Sequence, residues 1–172
     1  MVTIKSKRFI LRPYRKSDEK SLQKNINDKD VYKYTDRIPY PYRLVDAKNW
    51  IRKCINSSRK KKRTEFNFAI DINGQVVGGI GFDPIKGHRA EIGYWLGKKY
   101  WNQGIMREAI KLVTNFGFRK LKLKRITAHV FQKNKVSAHI LEKNNYKLEG
   151  ILRKNHLKDG KLYDELLYAK VK

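Results

Sequence analysis

The chain has 172 residues, one domain's worth, and its 40% apolar and 12% aromatic content supplies a real core despite the heavy charge. Forty-one Lys and Arg against sixteen Asp and Glu leave a net charge of +25, which favours anionic partners and disfavours small polycations unless a local acidic pocket overrides it. One cysteine, Cys54, excludes an internal disulfide framework and a cysteine zinc site, while the missing apolar spans and the polar N-terminus lead us to expect a soluble cytoplasmic protein without membrane contact.

In chain order, Arg8 to Arg12 reads as a short strand stopped by Pro13, which lacks a ladder donor. Ser17 followed by Asp18 and Glu19 predicts a capped helix running to Ile26. Residues 31–42 carry aromatics and prolines and read as a loop holding at most one helical turn. Ala47, Trp50, Ile51, Cys54 and Ile55 recur at helical spacing and define a second helix over 44–58, with Cys54 as core filler on its apolar stripe. From Glu65 the period changes to two. Phe66, Phe68 and Ile70 alternate with other positions, Asn73-Gly74 is a hairpin turn, Gln75 to Phe82 returns, and Arg89 to Leu96 follows the turn at Gly87. Gly104 opens the strongest helix, whose stripe is Ile105, Ala109, Leu112, Val113 and Phe116, with Gly117 as its expected end. A strand over 124–131, a helix over 136–144 and a hairpin turning at Asp159-Gly160 complete the chain.

The order β-α-α-β-β-β-α-β-α-β-β defines a single α/β (α+β) domain spanning residues 1–172. A strand–helix–strand passage around the Gly104 helix places one parallel pair inside a mostly antiparallel sheet of about six to seven strands.

The informative stretch runs from Tyr94 to Ala109, where a strand ends, a glycine-bearing loop follows and a long helix begins. Exposed amides at a helix start, with the positive end of its dipole, form an anion site; Gly104 allows close backbone approach and Arg107 adds a charged donor. Read without more context, the same features fit a plain strand–helix connection. Other motifs fail. Gly78-Gly79-Ile80-Gly81-Phe82-Asp83-Pro84 hints at a dinucleotide loop, but Pro84 takes the third glycine's place and no helix follows. His139 and Glu142 share a helix face without the further ligands a metal needs, so no metal is expected. No Gly-x-Ser-x-Gly element exists for a serine hydrolase.

Trp101-Asn102-Gln103-Gly104-Ile105-Met106-Arg107-Glu108-Ala109 resembles the acetyl-CoA motif of the GNAT N-acetyltransferase superfamily, in the branch holding the Rim-type ribosomal-protein N-terminal acetyltransferases. Arg8 to Pro13, Ala90 to Leu96, and Asn134 to Ser137 continuing through Tyr146 resemble further stretches of that family in the same order. The chain departs from the family's usual pattern in places. Trp101 and Met106 stand at the ends of the loop motif, Asn145 replaces a glycine at a left-handed turn that Asn tolerates, and Leu141 takes the place of a tyrosine acid.

The resemblance implies a GNAT-like fold with helices on both sheet faces and a splayed central strand pair. It implies acetyl-CoA as donor and coenzyme A as product, with the pyrophosphate held by Gln103, Gly104, Ile105, Met106 and Arg107 beside Asn102. The pantetheine arm would lie along the fourth predicted strand near Trp95 and Leu96, with Asn134 and Ser137 also contacting the cofactor. Glu91 is the candidate for amine deprotonation, or else an ordinary strand glutamate. Ser137 is the candidate donor to the leaving thiolate, or else a capping residue.

The resemblance further implies an acceptor entering between the loop after the first helix and the terminal hairpin. That loop carries Asp28, Asp30 and Asp36 with Tyr32, Tyr34, Tyr40 and Tyr42, less basic than the chain at large. The expected acceptor is a protein N-terminal amine. A polyamine or aminoglycoside is the alternative, and an RNA-binding protein that keeps the fold without turnover is a third reading. Arg59 to Arg63 reads as a solvated loop or as a contact for RNA or an acidic protein, the basic surface as a whole admits a weak nucleic-acid or ribosome contact, and both monomer and homodimer fit.

Overall fold

The computed structural model describes residues 2–172. Its strands are β1 (Ile4–Lys5), β2 (Ile10–Arg12), β3 (Phe66–Ile72), β4 (Gln75–Lys86), β5 (Arg89–Leu96), β6 (Arg125–Phe131), β7 (Lys147–Lys158) and β8 (Lys161–Val171). Its helices are α1 (Glu19–Ile26), α2 (Lys29–Lys33), α3 (Leu44–Ser58), α4 (Ile105–Arg119) and α5 (Lys135–Glu142). The strands form one sheet of eight in the order β1-β2-β3-β4-β5-β6-β8-β7, antiparallel throughout except for β5 against β6. The expected six to seven strands become eight because the chain before Phe9 adds a two-residue edge strand, Ile4 opposite Leu11.

Side-chain parity along β5 sorts the molecule into two layers. Ala90, Ile92 and Leu96 enter a core with Ile105, Ala109, Ile110 and Val113 of α4. Trp95, on the opposite face, packs into a second core with Tyr14, Leu22, Ile26, Val31, Ala47 and Ile51 of the α1–α3 side. Cys54 belongs to this second core, and burial pushes its thiol up, away from reactivity.

Two local expectations are corrected. Ser17 does not cap α1. A turn of 3-10 helix at residues 16–18 leads into it instead, with Asp18 drawn inward, where it accepts from the Arg15 amide at 2.7 Å and pairs with Arg12. Gly117 does not end α4, which continues to Arg119. A Cβ there would lie 2.7 Å from Phe82 Cζ, so the glycine serves close helix–sheet approach. The single turn expected in the 31–42 segment is α2, which begins earlier because Asp28 caps it by accepting from the Asp30 amide at 2.7 Å.

The feature that positions the site is a failure of pairing. β5 and β6 are joined only at Arg89, Ala90 and Glu91, opposite Arg125, Ile126 and Thr127. Beyond Glu91 the two strands separate, while β5 keeps its bonds to β4 through Leu96 and β6 keeps its bonds to β8 through Phe131. A gap therefore opens through the middle of the sheet.

Candidate active site

A cavity of about 1160 Å3 fills this gap, and Glu91, Trp95, Leu96, Asn102, Gly104, Ile105, Met106, Arg107, Asn134 and Ser137 all line it. Gln103 is the exception among the residues singled out from sequence. Its side-chain amide donates to the Lys99 carbonyl at 3.0 Å, outside the cavity wall.

The phosphate-type end is built by backbone. Asn102 and Gly104 both have positive φ, 58° and 71°, so the chain turns sharply into α4. The first bond of the helix runs from the Glu108 amide to the Gly104 carbonyl at 3.1 Å, leaving the amides of Ile105, Met106 and Arg107 ahead of the ladder. Ile105 and Met106 are buried, 3% and 6% exposed, with their side chains in the core, whereas Arg107 is exposed. A Cβ on Gly104 would project into open space with only the Arg8 guanidinium near, at 3.7 Å. This cradle fits a diphosphate.

Sequence reasoning missed the brace behind it. Arg8 donates to the Gln103 carbonyl at 2.5 Å and to Glu108 at 2.7 and 3.2 Å, while Ser6 donates to the other Glu108 oxygen at 2.6 Å. Trp101 pins the loop from the other side through its indole N–H on the Leu96 carbonyl, 2.7 Å away.

Glu91 and Tyr94 differ by an odd number of positions, so they face opposite sides of β5. On the α4–α5 side, the Tyr94 hydroxyl lies 2.7 Å from Ser137 Oγ. Burial pushes the Tyr94 phenol up, so it stays protonated and able to donate. Ser137 also donates its amide to Asn134 Oδ1 at 3.1 Å, so Asn134 caps α5 and Ser137 stands in its first turn. A tyrosine hydroxyl thus reaches this region from β5, although residue 141 is a fully buried leucine. Strand parity alone would have put Tyr94 on the α4–α5 side.

On the α1–α3 side, Glu91 is half-buried. Desolvation raises its carboxyl above the ordinary range, partly opposed by His129 and Arg37 and reinforced by Glu165 and Asp36. Asp36, Asp83, His129 and Glu165 line the cavity with it. Among the described residues no group of three His, Cys, Asp or Glu is arranged to hold a metal ion, and no helix is long and apolar enough to cross a membrane.

The model of the acetyltransferase (GNAT) domain matches residues 8–147, and the chain belongs to this family of acetyl-CoA-dependent N-acetyltransferases. Among curated relatives it is 30% identical over 174 residues to the uncharacterized N-acetyltransferase p20 of Bacillus licheniformis, covering all of this chain and 97% of the relative. Among solved structures it is similar to a GNAT-family acetyltransferase from Bacillus anthracis, at 28% identity and TM-score 0.86, covering 99% of this chain and 98% of that one. RimL, the ribosomal L7/L12 alpha-N-protein acetyltransferase solved with coenzyme A, shares the fold at TM-score 0.89 with 20% identity, over 99% and 98% of the two chains.

Proposed function

We propose that the acceptor is the N-terminal amine of a protein, delivered to Glu91 from the α1–α3 face while acetyl-CoA occupies the α4–α5 face. The observation that carries this reading is the cavity through the sheet, with the Glu91 carboxylate on one side and the Tyr94–Ser137 hydroxyl pair on the other. A ribosomal-protein acetyltransferase of matching fold supports the choice of acceptor.

Bound acetyl-CoA supplies an electrophilic thioester carbon and a thiol leaving group. Gly104, Ile105, Met106 and Arg107 hold its diphosphate on backbone amides and one guanidinium, and the open edge of β5 near Trp95 and Leu96 receives the arm. Glu91 takes a proton from the incoming ammonium, since a neutral amine is the nucleophile. Its raised carboxyl brings it closer to the amine in proton affinity. The Ser137 hydroxyl, oriented by Tyr94, donates to the departing sulfur.

A small amine is the second reading, because the acceptor mouth is clasped. Tyr32 donates its hydroxyl to Asp159 at 2.5 Å, and Lys158 donates to the Tyr32 and Thr35 carbonyls, tying the α2 loop to the terminal hairpin. Thiol release measured over free-amine peptides, polyamines and aminoglycosides decides between them. Turnover confined to peptides supports the first reading, and turnover confined to polyamines or aminoglycosides overturns it.

A further inference from the structure

Acetyl transfer to an ammonium releases one proton: R–NH3+ and the thioester give an amide, a thiol and H+. The new C–N bond forms as the C–S bond breaks with its electron pair on sulfur. The thiol keeps one nitrogen proton, and the other must pass to solvent. Glu91, as the first proton acceptor of the reading above, must discharge that proton before each new turnover.

Behind Glu91 the same sheet face carries a row of titratable groups contributed by three further strands. His129 on β6 lies two residues beyond Thr127, the partner of Glu91, and so on the same face. Its Nδ1 is 3.5 Å from Glu165 Oε2 of β8. Glu165 is 7% exposed, and Asn155 Nδ2 donates to its Oε2 at 2.6 Å. The other oxygen, Oε1, stands 3.8 Å from His156 Nδ1 of β7. The second nitrogen of that imidazole, Nε2, is 2.9 Å from Oδ1 of Asp36, a side chain 49% exposed to solvent. His156 is further fixed by an edge-on contact with Phe131, ring centroids 4.9 Å apart. From His129, which is solvent-accessible, the row thus runs without a break to the exposed Asp36 carboxylate, and strand register sets Glu91 on the same face at its head.

We propose that His129, Glu165, His156 and Asp36 form a relay that carries the amine's proton from Glu91 to solvent. Each imidazole accepts a proton on one nitrogen and releases one from the other, and Glu165 links the two rings through its separate oxygens. The gaps of 3.5 and 3.8 Å exceed a direct hydrogen bond and are closed by a bridging water or a small ring rotation. The charged groups around the row include Arg37, 3.5 Å from Asp36 and 3.4 Å from Asp83, Lys53, 3.6 Å from Asp83, and Lys158, whose ammonium lies 5.9 Å from the centre of the Phe131 ring. These cations neighbour the solvent end of the row. His129, Glu165, His156 and Asp36 are positioning and relay residues, none of them bonded to the reacting atoms.

The relay rests on Glu91 as the base, and two measurements separate the claims. The first uses the whole protein without an acceptor, following the 15N resonances of its four imidazoles from pH 5 to 9 in wild type and in Glu91→Gln. The relay requires that this substitution move the titration curves of both His129 and His156. A His156 curve left unmoved overturns it.

The second measures thiol release with spermidine and with a serine-initiated peptide as probes, in dilute non-nucleophilic buffer. His156→Gln and Asp36→Asn are expected to lower kcat about tenfold at unchanged KM for acetyl-CoA, and added imidazole to restore it. A loss that no small base rescues is structural and overturns the relay. Should neither probe turn over in the wild type, the proposed acceptor classes fail, while the imidazole titrations still decide the relay.

Discussion

Gly104 and Glu91 carry the sharpest consequences of single side chains. Gly104 holds φ at +71°, where an L-residue costs roughly 1–2 kcal/mol, yet a Cβ there would meet nothing closer than Arg8 at 3.7 Å. The folded protein can thus accommodate a side chain at that backbone cost, and the steric cost falls on whatever fills the cradle. Gly104→Glu is expected to abolish acetyl-CoA binding in calorimetry, and Gly104→Asn to weaken it less, since Asn tolerates the left-handed region. Equal affinity in all three proteins would remove the cradle from the cofactor site.

Glu91 is argued from burial, which raises its carboxyl in the folded state. The ionised form is then disfavoured by folding, so Glu91 costs stability above its folded pKa and nothing below its unfolded one, where both states are protonated. Glu91→Gln should therefore melt higher than wild type at pH 8, with the difference vanishing near pH 3.5. The same variant should lose about 100-fold in kcat together with the acid limb of the pH–rate profile. A melting difference that persists at acid pH would assign the effect to packing.

Elements are held together by a few buried choices, and Gly117 in α4 shows how magnitudes decide between them. Alanine gains about 1 kcal/mol over glycine in a helix interior. At residue 117, however, its Cβ would press on Phe82 at 2.7 and 3.0 Å and on Ile126 at 3.1 Å, and both are fully buried and unable to yield. Overpacking of that kind costs about 1–3 kcal/mol, so Gly117→Ala is expected to lower the melting temperature despite its better propensity. A rise would mean that α4 rides further from β4 than described.

Arg12 does comparable work between elements. Nearly buried at 4% exposure, it binds Asp18 before α1 with two 2.8 Å bonds and Asp71 of β3 with one of 2.5 Å. Those two carboxylates hold it firmly protonated. Arg12→Met would strand both acids in the interior, at about 3–5 kcal/mol, measurable by denaturant unfolding. The same residue explains what the sequence hid. Ser17-Asp18-Glu19 reads as a cap because local chemistry favours it, but Asp18 answers to Arg12 instead. The elements themselves were legible wherever period was strong, as in α3, α4 and the Asn73-Gly74 hairpin. The turn at Gly104 into α4 was legible too, because its chemistry is local backbone. The Arg8–Glu108 brace, the Tyr94–Ser137 pair and the His129-to-Asp36 row were not. Each joins residues dozens of positions apart, which only strand order and register bring together.

Across the whole molecule the charge is unevenly spent. Asp36, Asp83, Glu91 and Glu165 line the cavity with Arg37 and Lys53 among them, while Arg107, Lys135 and Lys143 line it beside α4 and α5. An acceptor entering beside Glu91, as proposed, therefore meets two fields of opposite sign: a distant +25 body and the nearby carboxylates. Over distances beyond the Debye length, about 10 Å at 0.1 M salt, only the body acts on an approaching molecule. A free polyamine is then repelled on approach, and added salt should raise its kcat/KM. An amine borne on an acidic peptide is drawn in, and added salt should lower its kcat/KM, by about tenfold between 50 and 300 mM KCl. Because kcat is set after docking, the effect belongs in kcat/KM and not in kcat. The proposed protein acceptor predicts the falling dependence for acidic peptides. If kcat/KM for such a peptide rose with salt as it does for spermidine, the net charge would play no part in bringing the acceptor to this enzyme.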